Sequence, residues 1–300
     1  MGSCIRTLLT LVFLPTAAAC AAPQETVRTP AVELEHPAAA PSGETRHALD
    51  LGAQAYQQGH LADALLQYRR AAESAPSDDG LWYDVGCLQA LLHDAEARAS
   101  FQRALRLNPY RAAAHDALGQ LAEQDGDMEE ARVSYRNATT LDPEQPNYLW
   151  RMIRIDLKQN RTVEAQQALS RLLLLDSAGL QAHYALGVLD LRADQPDLAI
   201  HEFRAVVDRR PDHVLAWNGL ALAYARIGEH AASDEALEHA KTLDPENPVT
   251  RTHEGLLAAY QQRWQQARTA WEHVLALDPS FEPAARNLEA LKTLTDGSAR

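Results

Sequence analysis

Residues 112–145 read AAAHDALGQLAEQDGDMEEARVSYRNATTLDPEQ, and the pattern of this stretch returns along the chain at intervals of 34 residues. Ala131 and Tyr135 are four residues apart, a spacing that places both side chains on one face of a helix. Asp127 precedes that helix and can cap its first turn, with Glu130 at the third helical position. Asp142 stands before a proline, which pushes it out of helical geometry and ends the helix. The stretch therefore predicts two helices joined by a short turn.

The same features recur at a fixed period. The closing proline is found at Pro76, Pro109, Pro143, Pro211, Pro245 and Pro279, and the alanine–aromatic pair at Ala64/Tyr68, Ala97/Phe101, Ala131/Tyr135, Ala199/Phe203 and Ala267/Trp271. Self-similarity at such a period is typical of stacked helical repeats. We predict seven units, at residues 45–78, 79–111, 112–145, 146–179, 180–213, 214–247 and 248–281. The second unit is one residue short near His93, and the fourth departs most, with Ile153, Leu169 and Ser177 in place of glycine, aromatic residue and proline.

Small residues explain how such units would pack. Gly119 and Ala131 allow the two helices of a unit to approach closely, and Tyr135 then fills the space toward the following unit. No unit can bury its apolar face alone, so the units must stack and the ends must be capped. Residues 282–295 are predicted to form a C-terminal capping helix, because apolar residues at 284, 288, 291 and 294 make one stripe.

The repeat resembles the tetratricopeptide repeat, whose Trp-x-x-Leu-Gly-x-x-Tyr signature is nearly met by Trp217, Leu220, Ala221 and Tyr224. The resemblance covers residues 45–281 and implies an all-α fold, a right-handed superhelical solenoid of tandem helix-turn-helix repeats. It also implies that these units bind other polypeptides.

In that family the first helix of each unit lines a concave groove. By this resemblance the groove residues of units four to six include Trp150, Arg154, Lys158, Tyr184, Arg192, Asn218 and Arg226. An extended peptide with acidic groups or a C-terminal carboxylate would suit such cationic and aromatic residues. The alternative is that these residues are merely tolerated at exposed positions.

The first residues look like an export signal. Arg6 precedes an apolar run at residues 8–14, and small residues lead to Cys20. We predict a lipoprotein-type signal peptide at residues 1–19 with cleavage before Cys20, which would carry the lipid; an ordinary Ala-x-Ala cleavage site is the alternative. Residues 20–44 hold four prolines and few large apolar residues, so we expect a disordered tether. Ala21 after the cysteine resembles the rule that passes such lipoproteins to the bacterial outer membrane, facing the periplasm.

Composition excludes several function classes. The formal charge of -13 opposes binding to nucleic acid. The 12 histidines form no metal-spaced pair, and no phosphate-binding loop or nucleophile motif occurs, so we expect no metal, no cofactor and no enzyme activity.

These observations predict a non-catalytic scaffold of the bacterial cell envelope, anchored in the membrane through a lipid and binding other envelope proteins or peptides. One alternative is a soluble exported adaptor, periplasmic or secreted, that self-associates. An enzyme subunit with unrecognised chemistry is the other.

Overall fold

The computed structural model describes residues 42–175 and 179–297, and within them it contains fifteen helices and no strand. This confirms the predicted all-α repeat fold. The predicted signal peptide, Cys20, most of the tether and Ser177 lie outside the described residues. The helices are α1 Gly43–Gln57, α2 Leu61–Ser74, α3 Asp79–Leu91, α4 Ala97–Leu107, α5 Ala112–Gln124, α6 Met128–Leu141, α7 Pro146–Lys158, α8 Thr162–Leu175, α9 Leu180–Arg192, α10 Pro196–Arg209, α11 Val214–Ile227, α12 His230–Leu243, α13 Pro248–Tyr260, α14 Trp264–Leu277 and α15 Glu282–Gly297.

The chain forms two compact units. The N-terminal array comprises the described residues up to 168, and the C-terminal array comprises those from 169 onward. Odd-numbered helices up to α13 are the first helices of their pairs, and even-numbered helices are the second. Among the described helices, none is long and apolar enough to cross a membrane.

Helix α1 begins at Gly43, earlier than the expected end of the tether at residue 44. The cause is a local cap, because the Ser42 hydroxyl accepts a hydrogen bond from the Thr45 backbone N–H at 3.2 Å. Asp127 caps α6 in the same way, accepting from the Glu130 N–H at 2.9 Å, as the sequence predicts. At the other end, α15 continues two residues beyond the expected boundary at 295.

The turn inside each helix pair contains one residue in the left-handed region. These residues are Gly59, His93, Gly126, Asn160, Asp194, Gly228 and Gln262. They recur at the period of the repeat, so every pair is joined by the same kind of turn. Four of these seven residues are not glycine, although glycine adopts this conformation most readily.

Contact between the helices of a pair depends on a glycine facing an aromatic ring. A Cβ added to Gly119 would lie 2.6 Å from a ring carbon of Tyr135. The same arrangement joins Gly52 to Tyr68, Gly86 to Phe101, Gly187 to Phe203 and Gly255 to Trp271. Ala131 is completely buried at the crossing. The predicted close approach of the helices is confirmed.

The C-terminal end is closed by α15. Ala284 and Leu291 are buried against a cluster that includes Trp271, and Leu288 packs beside them. This apolar stripe packs against the last repeat.

Candidate functional site

Five charged side chains connect the first helices α5 and α7 of the N-terminal array. Asp116 and Glu123 are seven residues apart on α5, and Arg151, Arg154 and Lys158 lie at helical spacing on α7. Arg151 Nε is 2.9 Å from Asp116 Oδ1, an ion pair without the alignment of a hydrogen bond. Arg154 Nη2 donates to Glu123 Oε2 at 2.5 Å, and Lys158 Nζ donates to Glu123 Oε1 at 2.8 Å. We call these five residues the ion ladder.

Cations outnumber carboxylates in the ion ladder. Glu123 alone accepts from Arg154, from Lys158 and from the Tyr135 hydroxyl, the last at 3.1 Å. Arg154 Nε is buried and has no hydrogen-bond partner among the residues that the structure describes. The Arg154 side chain is nevertheless 36% exposed, and that of Lys158 is 43% exposed. The surface can therefore accept a further anion.

The pKa values of the two carboxyl groups are shifted in opposite directions. Burial raises the pKa of Asp116 to about 6, although Arg151 and a hydrogen bond from Gln120 act to lower it. Burial would also raise the pKa of Glu123, but the hydrogen bonds and charges of Lys158 and Arg154 prevail and lower it. Glu123 is therefore ionised at neutral pH, while Asp116 becomes protonated in mild acid.

The predicted groove residues of the fourth repeat lie on this surface. Trp150 is half-buried on α7, one turn before Arg154, and Lys158 is exposed one turn after it. The structure thus places an aromatic ring and two partly exposed cations along one helix. Asp116, Gln120 and Glu123 were not predicted as site residues. Their signal was present, since all three lie on the first helix of the third unit, and first helices line the groove in the resemblance.

In the C-terminal array, two of the predicted groove residues are buried. Tyr184 is buried, with its ring 5.9 Å from that of Phe203. Asn218 is fully buried on α11 and donates to Thr250 Oγ1 on α13 at 2.8 Å. Both side chains pack between helices, which corrects the expectation that they are open to a ligand.

The two predicted groove arginines of this array, Arg192 and Arg226, also have partners within the chain. The Arg226 side chain is only 6% exposed, donates to the Leu191 carbonyl oxygen and lies 3.7 Å from Asp194 Oδ1. Arg192 is half-buried at the end of α9 and also has an interaction partner. The expected cationic surface is therefore concentrated on α7 of the N-terminal array.

Within the part of the chain that the structure describes, no three histidine, cysteine or acidic side chains are grouped so as to hold a metal ion. Cys87 is buried beside Phe101 in the core of the second repeat.

Comparison with known proteins gives family matches. Two family models, both described as tetratricopeptide repeat, match the chain, one over residues 95–146 and 184–248 and the other over residues 122–187. Together they run without a gap from residue 95 to residue 248, just over half of the chain.

Individual proteins are similar to much of this chain, one in sequence and two in structure. Cellulose synthase operon protein C of Xanthomonas axonopodis pv. citri is 28% identical over 268 residues, which are 87% of this chain and 16% of that protein. Part of a tetratricopeptide protein from Cytophaga hutchinsonii superposes with a TM-score of 0.60 at 15% identity, covering 82% of this chain and 99% of that one. YrrB, described as having an unusual peptide-binding site, gives 0.56 at 21% identity, with 61% and 95% covered. This chain spans no more than about half the length of the curated relatives it matches.

Proposed function

Because the chain belongs to the tetratricopeptide repeat family, whose members generally mediate protein–protein interactions, we propose that it is a non-catalytic adaptor that binds an extended acidic segment of another protein. The proposed binding surface is the exposed side of the ion ladder, together with Trp150.

The excess of cations in the ion ladder supports this proposal best. A carboxylate from a partner can take the donors that Glu123 leaves free on Arg154 and Lys158, and a guanidinium matches a carboxylate with two parallel hydrogen bonds. Trp150, one turn away, offers apolar surface for a neighbouring side chain of the same segment.

The test is selection of synthetic decapeptides, displayed with either free or amidated C-termini, on the purified protein. We expect the selected peptides to carry Asp, Glu or a free carboxylate near one apolar residue. The double variant Arg154→Gln/Lys158→Gln should bind them about tenfold more weakly, because each partly exposed ion pair contributes up to about 1 kcal/mol and a loss of about 1.4 kcal/mol is tenfold. Binding should also weaken as salt is raised, since both cations are partly exposed.

The matched control is Arg70→Gln/Arg136→Gln, which removes two exposed positive charges from the second helices α2 and α6. Its affinity should equal that of the wild type. Equal losses in both double variants would mean that net charge alone attracts the peptides, and the ladder would then not be the site.

We further propose that the adaptor works in the bacterial cell envelope, anchored at the outer membrane through a lipid on Cys20. The cationic start, the short apolar run and the small residues before Cys20 support this. The test is the intact mass of the amino-terminal peptide, recovered from membrane and soluble fractions of the native cell. A lipid-modified Cys20 is expected; an unmodified terminus at or after residue 20 would instead mean a soluble exported adaptor. An intact Met1 without membrane association would overturn export.

A further inference from the structure

In the N-terminal array, an arginine of each of the second helices α2, α4 and α6 reaches an acid of the following repeat. Arg98 on α4 donates to Asp125 Oδ2 at 2.7 Å and to Glu130 Oε1 at 2.6 Å, both in the next repeat. Arg69 reaches Glu96 at 2.5 Å, and Arg132 reaches Asp156 at 2.6 Å. In each case a guanidinium of the chain fills the gap between consecutive units.

The C-terminal array lacks this bridge between α12 and α14. Four repeats after Arg98, Asp125 and Glu130, the equivalent positions hold Asp234, Gln261 and Gln266. An acidic residue therefore stands at the position of the arginine, and glutamines stand at the positions of the two acids. The remaining contact is a long hydrogen bond from Gln261 Nε2 to Asp234 Oδ1 at 3.4 Å, with the same separation of 27 residues as the Arg98–Asp125 pair.

An open groove occupies the place of the bridge. It has a volume of about 740 Å³, with walls from α12 and α14 and a floor from α13. The apolar floor includes Leu257 and Ala258, and the polar walls include Asp234, Gln266 and Thr269. Its size is that of a cleft that can receive several side chains.

Most charges around this groove are already balanced. Lys241 lies 2.9 Å from Glu238 and 3.3 Å from Glu254, and Arg251 pairs with Glu254 at 3.3 Å. Asp234 is exposed on α12, and no ion pair reaches it among the residues that the structure describes. Arg263 also lines the groove, at the start of α14, and is exposed.

We propose that this groove receives an arginine from an extended segment of a partner protein, between Asp234 and the amide oxygens of Gln261 and Gln266. Inside the N-terminal array, Arg98 shows how a guanidinium fills the equivalent gap between two repeats. The net charge of -13 favours the approach of a cationic segment. This surface and the charge of its ligand differ from those of the ion ladder, so the two proposals are independent.

The walls indicate why the segment is extended. Gln265, Gln266 and Thr269 bring hydrogen-bonding groups into the groove. An extended backbone has unpaired N–H and C=O groups to meet them, whereas the interior of a helix has none. The methylene stem of the arginine and its apolar neighbours would lie on Leu257 and Ala258.

The test uses the fluorescein-labelled pentapeptide Ala-Leu-Arg-Leu-Ala, amidated, and a twin with citrulline, an uncharged isostere, in place of arginine. Fluorescence anisotropy should show the arginine peptide binding about tenfold more tightly. Asp234→Asn should reduce its affinity to that of the citrulline peptide, and Arg263→Gln should raise it by removing a like charge. Glu235→Gln, which removes the adjacent exposed acid outside the groove, is the matched control and should change nothing.

A second variant closes the groove from within. Asp234→Arg/Gln261→Asp/Gln266→Glu transplants the bridge of α4 and α6 into this position and should abolish peptide binding while leaving the helical circular dichroism unchanged. Equal binding of the two peptides, or full affinity in Asp234→Asn, would show that the groove does not recognise arginine. Loss of binding in Arg263→Gln would show that it takes an acidic segment instead, which also overturns the proposal.

Discussion

Replacing Gly119 by alanine tests the packing rule of the whole repeat. The new Cβ would lie 2.6 Å from Cε1 of Tyr135, whereas ordinary contact begins at 3.4 Å, so the ring would have to move by about 0.8 Å. Tyr135 is fully buried and its hydroxyl is tied to Glu123, which leaves it little freedom to move. Overpacking of this kind costs about 1–3 kcal/mol, and alanine recovers about 1 kcal/mol of helix propensity. We expect a net loss of about 1 kcal/mol in the free energy of unfolding.

A double-mutant cycle separates these two effects. In a Tyr135→Leu background the ring is gone, so Gly119→Ala should now stabilise by about 1 kcal/mol through helix propensity alone. Urea unfolding followed by far-ultraviolet circular dichroism measures all four proteins. The control is Gly43→Ala, whose new Cβ meets no atom within 4 Å in the described part of the chain, and it should not destabilise the protein. If Gly119→Ala changes the free energy of unfolding equally in both backgrounds, contact with the Tyr135 ring is not what requires glycine at position 119, and the explanation is wrong.

Three other predictions concern stability. Gln262 has φ 61°, so Gln262→Gly should raise the free energy of unfolding by about 1 kcal/mol. Asn160→Gly should raise it less, because asparagine tolerates the left-handed region better than glutamine does. Equal gains for the two variants in urea unfolding would contradict this explanation. Arg132→Met should cost about 3–5 kcal/mol, since the fully buried side chain of Asp156 loses its cation, and Arg132→Met/Asp156→Leu should recover most of that loss in the same assay. The pKa of Asp116 is raised from 3.8 to about 6, so between these pH values the folded state keeps a proton that the unfolded state has lost. The stability of the wild type should therefore fall, relative to that of Asp116→Asn, as pH rises from about 4 to about 6. The difference between the two pH-stability curves should reach on the order of 2–3 kcal/mol, and parallel curves would refute the shift.

The helix pairs could be predicted from the sequence because each is marked by features of local origin. Asp127 and Glu130 mark the start of α6, and Pro143 marks its end, so both ends can be predicted from neighbouring residues alone. The left-handed turns at His93 and Gln262 could not be predicted in this way, because these residue types carry no preference for positive φ. Their conformation is imposed by the packing of the helices on either side.

The candidate site could be predicted only in part. Repeat positions identify which residues of a first helix face its neighbours, and on that basis Arg154 and Lys158 were found. Whether such a residue is open or buried depends on the side chains of the adjacent first helix. Asn218 is buried because Thr250 of the next first helix offers it a hydroxyl, a pairing that spans 32 residues and leaves no mark in either repeat alone.

Glu123 links the surface of the third repeat to its interior. The carboxylate oxygen that holds Arg154 is the same one that receives the hydroxyl of Tyr135, the ring wedged against Gly119. A partner that draws Arg154 toward its own carboxylate therefore changes the strength of a hydrogen bond inside the helix pair. By reciprocity, a change that weakens the hydrogen bond between Tyr135 and Glu123 should alter the affinity for that partner by the same coupling free energy. Backbone amides of α5 and α6 should accordingly exchange hydrogen at a different rate when the surface is occupied, although the partner never contacts them.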